Sequence, residues 1–132
     1  MIALDTNVLV RFLVRDDERQ AAAANELLSS LTVEKPGFVC REVVVELVWV
    51  LERAYGFPRE QIADVLEHLV STEVLVIETA EDVALTAFRY RAGGVGISDL
   101  MILAAAERAQ ALPVYTFDQK AARQEGVTLL QG

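Results

Sequence analysis

Cysteine occurs once, as Cys40, and histidine once, as His68. An intramolecular disulfide is therefore impossible, and a reducing compartment is the natural setting. No uncharged run approaches the ~18 residues that a bilayer span needs. The opening MIALDTNVLVRFLVR has no basic region ahead of an apolar stretch, so a secretory leader is not expected and a cytoplasmic location is. Positive charge is also scarce: a formal charge of -8 disfavours loose, field-driven attachment to nucleic acid or to an anionic membrane. Ten of the twelve basic residues are arginine, and any phosphate contact would have to be local. The glycine run Gly93 to Gly96 lacks the GxxxxGK[ST] pattern of a phosphate loop and reads as a flexible lead into the next helix.

What the chain does have is apolar content, 53% over 132 residues, enough for one domain over residues 1–132 with a sizeable core. Strand-like and helix-like segments take turns. IAL at Ile2 to Leu4, GFVC at Gly37 to Cys40, EVLVIE at Glu73 to Glu78, Pro113 to Phe117 and VTLL at Val127 to Leu130 read as five short strands with helices between them. Such alternation predicts an α/β domain with a mainly parallel sheet and helices on both faces. Pro36-Gly37, Gly56 with Pro58, and the Gly93 to Gly96 run punctuate it. The valine-rich segment Arg41 to Leu51 has strand propensity, yet its continuation through ELVWVLERAYG to Gly56 predicts a helix. Glu42, Glu46, Trp49 and Val50 would share one face of it, and the apolar residues around the rest imply deep burial of Glu46.

Four carboxylates interrupt or cap apolar segments: Asp5 after IAL, Glu46 inside VVVELVWVL, Asp99 before LMILAAA and Asp118 ending VYTFD. An unpartnered carboxylate is costly to take from water, so these acids need either a shared cation or local caps. Asp5, Asp99 and Asp118 each precede a helical segment and suit the N-cap role, whereas capping cannot account for Glu46. Asp16, Asp17 and Glu18 read as caps and dipole partners of the second helix. In open parallel sheets ligands gather beyond the carboxyl ends of the strands, where Asp5 and Asp118 are expected, with Asp99 joining from a helix start. The donors are oxygens, without histidine or cysteine beside them, which suits Mg²⁺ or Mn²⁺ better than zinc. Acids holding one or two such ions are equipped for in-line hydrolysis of a phosphodiester. Asn7, Ser98 and Thr116 lie within two residues of the acids and read either as hydrogen-bond donors that orient them or as ordinary turn polars. His68 is expected to face solvent; Trp49 and Tyr55 could stack a base, but a large aromatic on a buried helix is expected in the core.

The segments IALDTNVLVRFLVRDD, VVVELVWVLERAYG, RAGGVGISDLMILAAA and VYTFDQKAA, in this order, resemble PIN domains, and among them the VapC-type ribonuclease toxins of prokaryotic toxin–antitoxin pairs. The resemblance covers nearly the whole chain. It implies a three-layer α/β/α sandwich on a five-stranded mainly parallel sheet, and an Mg²⁺- or Mn²⁺-dependent endoribonuclease leaving a 5′-phosphate. It also implies a cognate antitoxin as partner and a homodimer. By position Asp5, Glu46, Asp99 and Asp118 match the family's acidic quartet, with Asp5, Asp99 and Asp118 as direct metal ligands and Asn7 and Thr116 as usual neighbours. Glu46 either binds metal or orients the water. Relatives often carry a further acid where this chain reads Gly96-Ile97-Ser98, which leaves a one-metal mechanism open. Phosphate affinity would fall to the metal and to Arg11, Arg15 or Arg41 where they line the crevice. Two other readings remain: a non-catalytic α/β binding module whose acids are caps, and a haloacid-dehalogenase-type phosphatase, which needs DxD where this chain has Asn7.

Overall fold

A computed structural model describes residues 1–131 of the protein. The chain runs β1 (Ile2–Ala3), α1 (Thr6–Val14), α2 (Glu18–Ser29), β2 (Gly37–Val39), α3 (Arg41–Arg53), α4 (Arg59–Ser71), β3 (Leu75–Ile77), α5 (Ala80–Ala92), α6 (Ile97–Arg108), β4 (Val114–Thr116) and β5 (Val127–Leu129). A short 3-10 turn, Ala121–Arg123, precedes the last strand. All strand pairs are parallel, and the class is the α/β/α arrangement expected from the alternation. No helix among the described residues is long and apolar enough to cross a membrane.

The expectation of one five-stranded sheet is corrected. The five strands form, but their ladders divide into β1-β2-β3 and β4-β5. The cause lies in how soon the chain leaves β1. Only Ile2 and Ala3 pair, with Gly37 and Phe38 of β2, before Asp5 turns the backbone into α1. Two residues offer too short an edge to carry a second ladder on the other side.

Helix α3 settles the valine-rich ambiguity in favour of helix. Val43, Val44, Leu47, Val48 and Leu51 recur at helical spacing and are all buried. Their packing compensates for the modest helix propensity of β-branched residues. The helix ends where Gly56 takes φ +64, a left-handed conformation that suits glycine, and its amide donates to the Glu52 carbonyl at 3.2 Å. Glu42, Glu46 and Trp49 lie on the opposite, exposed face. Glu46 is therefore not buried as the sequence pattern implied, and Trp49, expected in the core, is 48% exposed. The apolar content of this helix is high enough to mask its amphipathicity, but one face still carries the charges.

Between α1 and α2 the chain breaks at Arg15, which sits in the left-handed region at φ 58. The Asp16-Asp17 doublet then divides its work. Asp17 caps α2, accepting from the Gln20 amide at 3.0 Å, while Asp16 turns back to α1 and α3.

One buried acid joins three helices. Asp82, near the start of α5, is 6% exposed and accepts from Arg41 Nη1 at 2.8 Å and from Arg108 Nε at 3.2 Å. Arg41, the first residue of α3, also donates to Thr79 Oγ1 at 2.6 Å and to the Met101 carbonyl of α6 at 3.1 Å. Its backbone amide donates to Glu78 Oε1 at 2.8 Å. Removing one partner of a buried ion pair strands the other's charge. Asp82→Ala should accordingly lower unfolding free energy by about 3 kcal/mol, read from the urea midpoint at pH 7, and a loss below about 1 kcal/mol, the range of an exposed pair, would show that the clamp is dispensable.

Candidate carboxylate site

Asp5 and Asp118 follow strands, Asp99 lies in the first turn of α6 and Glu46 in the middle of α3; Asp5, Glu46 and Asp118 are exposed and Asp99 is half-buried. Asp5 follows β1 and is the N-cap of α1, its Oδ1 accepting from the Thr6 amide at 2.8 Å. Asp118 follows β4, and its Oδ1 accepts from the amides of Lys120 at 2.8 Å and Ala121 at 3.0 Å. Each of these two thus spends one carboxylate oxygen on its own turn. Thr116 supports the second turn by accepting from the Asp118 amide at 3.0 Å. Asp99 does no capping. The N-cap of α6 is Gly96, so Asp99 is the third helical residue, and it accepts no hydrogen bond among the described residues. Glu46 likewise accepts none there.

Capping alone therefore explains one oxygen each of Asp5 and Asp118, and nothing of Asp99 or Glu46. Ion pairing explains none of them. Among the described residues the salt bridges involve Asp16, Glu60, Asp64, Glu67, Asp82 and Glu107, and no member of the quartet. The physical cost is visible at Asp99, whose carboxyl is held above its ordinary range first by partial burial and then by the negative charge of Asp118.

The structure arranges the acids as two pairs. Asp99 and Asp118 are close enough to repel. Asp5 and Glu46 line one cavity of about 220 Å³, together with Asn7, Val10, Arg11 and Tyr55. Thr6 belongs to the same cavity, and its Oγ1 is buried with no hydrogen-bond partner among the described residues. Glu46 also faces a larger cleft of about 620 Å³ between α3 and α6, lined by Arg41, Glu42, Trp49, Ser98, Met101 and Ile102. It is thus the residue that links the Asp5 cavity to the α6 cleft holding Ser98, next to Asp99. No group of three or more Asp, Glu, His or Cys side chains gathers around one point among the described residues.

The donor set fits a hard divalent cation. Its free atoms are carboxylate oxygens without basic partners, the pair at Asp99 and Asp118 repels in the absence of a counter-charge, and Thr6 Oγ1 is a further unpaired oxygen beside Asp5. Mg²⁺ keeps several waters, so carboxylates that do not meet at one point can still hold it in part through those waters.

Some of what lines these cavities was not legible beforehand. Tyr55 enters the Asp5 cavity because α3 ends in a turn that brings it back toward α1, where its hydroxyl donates to Asp16 Oδ2 at 2.7 Å. The Asp16-Asp17 doublet was the available signal, since only one of two adjacent acids can cap a helix. Arg41, named as a possible phosphate contact, does line the larger cleft, but its guanidinium is committed to Asp82, Thr79 and Met101. Arg15 lies over the Phe12 ring at 5.7 Å and reaches Asn25. His68 is exposed on α4, as expected.

Comparison with known proteins finds that the PIN domain family model matches residues 2–127. The chain is similar to a VapC ribonuclease of Aquifex aeolicus (strain VF5), 34% identical over 79 residues, a stretch that covers 59% of this chain and 58% of that protein. The match thus spans little more than half of the relative's length.

The Asp99 repulsion has a pH signature. Because the folded state holds this carboxyl above its unfolded value, ionisation is penalised only in the folded state, and the penalty grows as pH rises through the raised value. Below the ordinary aspartate range both states are protonated and the penalty is absent. Asp99→Asn should therefore raise the thermal midpoint at pH 7 in EDTA, and the gain should vanish near pH ~3; a variant no more stable than the parent at pH 7 would contradict the assigned cost of burying this charge beside Asp118.

Proposed function

Because the chain belongs to the PIN domain family, we propose that it is a metal-dependent endoribonuclease, the toxin of a type II toxin–antitoxin pair, with residues 1–132 as its nuclease domain. The observation that carries this reading is the quartet's lack of basic partners: none of the four acids forms an ion pair among the described residues, Asp5 and Glu46 line one open cavity, and Asp118 raises the charge cost of a partly buried Asp99. A binding module whose acids merely cap helices has no use for the free Asp99 and Glu46. The phosphatase reading is not favoured by any contact here, since Asn7 lacks the second carboxylate that it requires.

Asp5, Asp99 and Asp118 would hold Mg²⁺ or Mn²⁺, which when bound would lower the barrier by neutralising charge on the phosphate and acidifying water. The chain's own residues do the rest. The turn bonds from Thr6, Lys120 and Ala121 fix one oxygen of Asp5 and Asp118, so the second oxygen of each is aimed without further ordering cost. Glu46, exposed between the two cavities, either contributes a further ligand or accepts a proton from the attacking water. Asn7 and Ser98 offer neutral hydrogen-bonding groups to the substrate backbone, and Thr116 steadies the Asp118 turn. Ser98 cannot replace an anionic ligand, which favours a single ion. Water adds to phosphorus, the bond to the 3′ oxygen breaks, and that oxygen takes up a proton, leaving 3′-hydroxyl and 5′-phosphate ends.

An RNA substrate, a protein antitoxin and a cytoplasmic location belong to this reading. A homodimer belongs to the same reading, supported by Trp49 and Ile102, which are 48% and 54% exposed on α3 and α6.

Purified chain incubated with a mixed pool of structured RNA should cleave it in Mg²⁺ or Mn²⁺ and not in EDTA. Asp5→Asn should retain the fold by circular dichroism while losing cleavage by on the order of a hundredfold or more, since several kcal/mol of charge stabilisation are removed. An active Asp5→Asn protein would sink the site. A wild-type chain that cuts no RNA and gains no thermal stability from either metal would instead support the binding module.

A further inference from the structure

A chain of net charge -8 that binds RNA needs a cation placed at its site, and the cavities narrow the choice. Arg11 is the one basic residue lining the cavity that holds Asp5 and Glu46, and it also lines a neighbouring cavity of about 270 Å³ with Asn7 and Gln20. Arg11 and Asn7 thus stand on the wall shared by the two. Arg41 has its donors committed to a buried acid, and Arg15 lines neither cavity.

The Arg11 guanidinium is held through two of its three nitrogens. Its Nε donates to Gln20 Oε1 at 2.6 Å, and its Nη1 donates to Asp16 Oδ1 at 2.8 Å and to the Tyr55 hydroxyl at 3.3 Å. The Nη2 group makes no hydrogen bond among the described residues. Tyr55 in turn donates to the other oxygen of Asp16, so residues from α1, the α1–α2 connection, α2 and the end of α3 converge to orient one side chain. The Arg11–Asp16 pair is partly solvated, with the two side chains 29% and 45% exposed. Such a pair leaves far more of the guanidinium's charge available than the buried Asp82 leaves to Arg41. A framed arginine also binds an anion with less loss of side-chain freedom than a mobile one.

We infer that Arg11 is a phosphate-binding residue of the cleft, gripping a backbone phosphate of the RNA beside the one that is cut, with Asp16 and Tyr55 as the residues that position it. This rests on the nuclease reading above, and extends it to how an acidic protein holds a polyanion.

The test uses the full chain carrying Asp5→Asn, so that RNA is bound without being cut, and a 5′-fluorescein single-stranded RNA of mixed sequence in Mg²⁺. Affinity is read by fluorescence anisotropy across a KCl series. Arg11→Gln should weaken binding and flatten the dependence of log Kd on log salt by about 0.7, the loss of one phosphate contact. Arg11→Lys should restore the parent slope with weaker affinity, because the charge returns without the fixed fork. Tyr55→Phe should also keep the parent slope with weaker affinity. Thermal midpoints are measured alongside, and if Arg11→Gln fails to fold, Arg11→Lys and Tyr55→Phe carry the test: binding equal to the parent's in both would overturn the inference. So would a folded Arg11→Gln protein with the parent's slope, which would leave the frame a purely structural one. If the parent itself binds no RNA, the nuclease reading falls and this inference with it, a result distinct from an unchanged slope in a parent that binds.

Discussion

The clamp on Asp82 ties together the helices that bound the candidate site. Arg41 opens α3, Asp82 lies in the first turn of α5 and Met101 belongs to α6, so a single guanidinium and a single buried carboxylate tie three elements together. Glu46 lies five residues along α3 from Arg41, and Ser98 and Asp99 lie within a turn of Met101. The cleft between Glu46 and Ser98 is thus bounded by the two helices that Arg41 joins. A buried ion pair is a poor source of net stability, because desolvation offsets most of the attraction. It is a good source of geometry, because the bonds of Arg41 to Thr79, Asp82 and the Met101 carbonyl hold together only at one relative placement of α3, α5 and α6. Its use here also explains why one of the ten arginines is withheld from any ligand.

Charge is distributed in the opposite way at the quartet. The chain has acids in excess, yet it spends its arginines elsewhere: Arg91 reaches Glu60, Asp64 and Glu67 on α4, and Arg89 grips Glu107 through two bonds of 2.8 Å. The quartet receives none of this compensation among the described residues. Folding could have set a guanidinium beside Asp99, but none pairs with it among the described residues. Arg11 stands nearby but is turned onto Asp16, which keeps it from collapsing onto Asp5 or Glu46. Opposite charges in one cavity are useful to a site that must hold a cation and a polyanion together, provided that they are kept from neutralising each other.

Much of this was readable along the chain. The five short apolar segments became strands, the Gly56 and Pro58 punctuation ended α3 before α4, and Arg41 to Leu51 formed a helix despite its valines. Each of these depends on local chemistry: turn residues, period and the residue after a helix end. Burial of Glu46 was misread, since composition around a helix does not say which side meets the core when nearly every neighbour is apolar. Trp49 was misjudged for the same reason. The division of the strands into three and two depends on how few residues of β1 stay extended, which no propensity specifies. Asp16, placed like a cap in the chain, instead meets Arg11 and Tyr55, which are 5 and 39 residues away.

By itself the sequence determined the α/β alternation, the identity of four out-of-place acids and their oxygen-only chemistry, because these follow from residue type and from periods of two and 3.6. Only the tertiary structure decided that the acids stand as two pairs, that Arg41 is locked while Arg11 stays within reach of the Asp5 cavity, and that Glu46 opens to solvent. Those outcomes are set by contacts between segments far apart in the chain, where packing and desolvation choose among partners that the sequence leaves equally available.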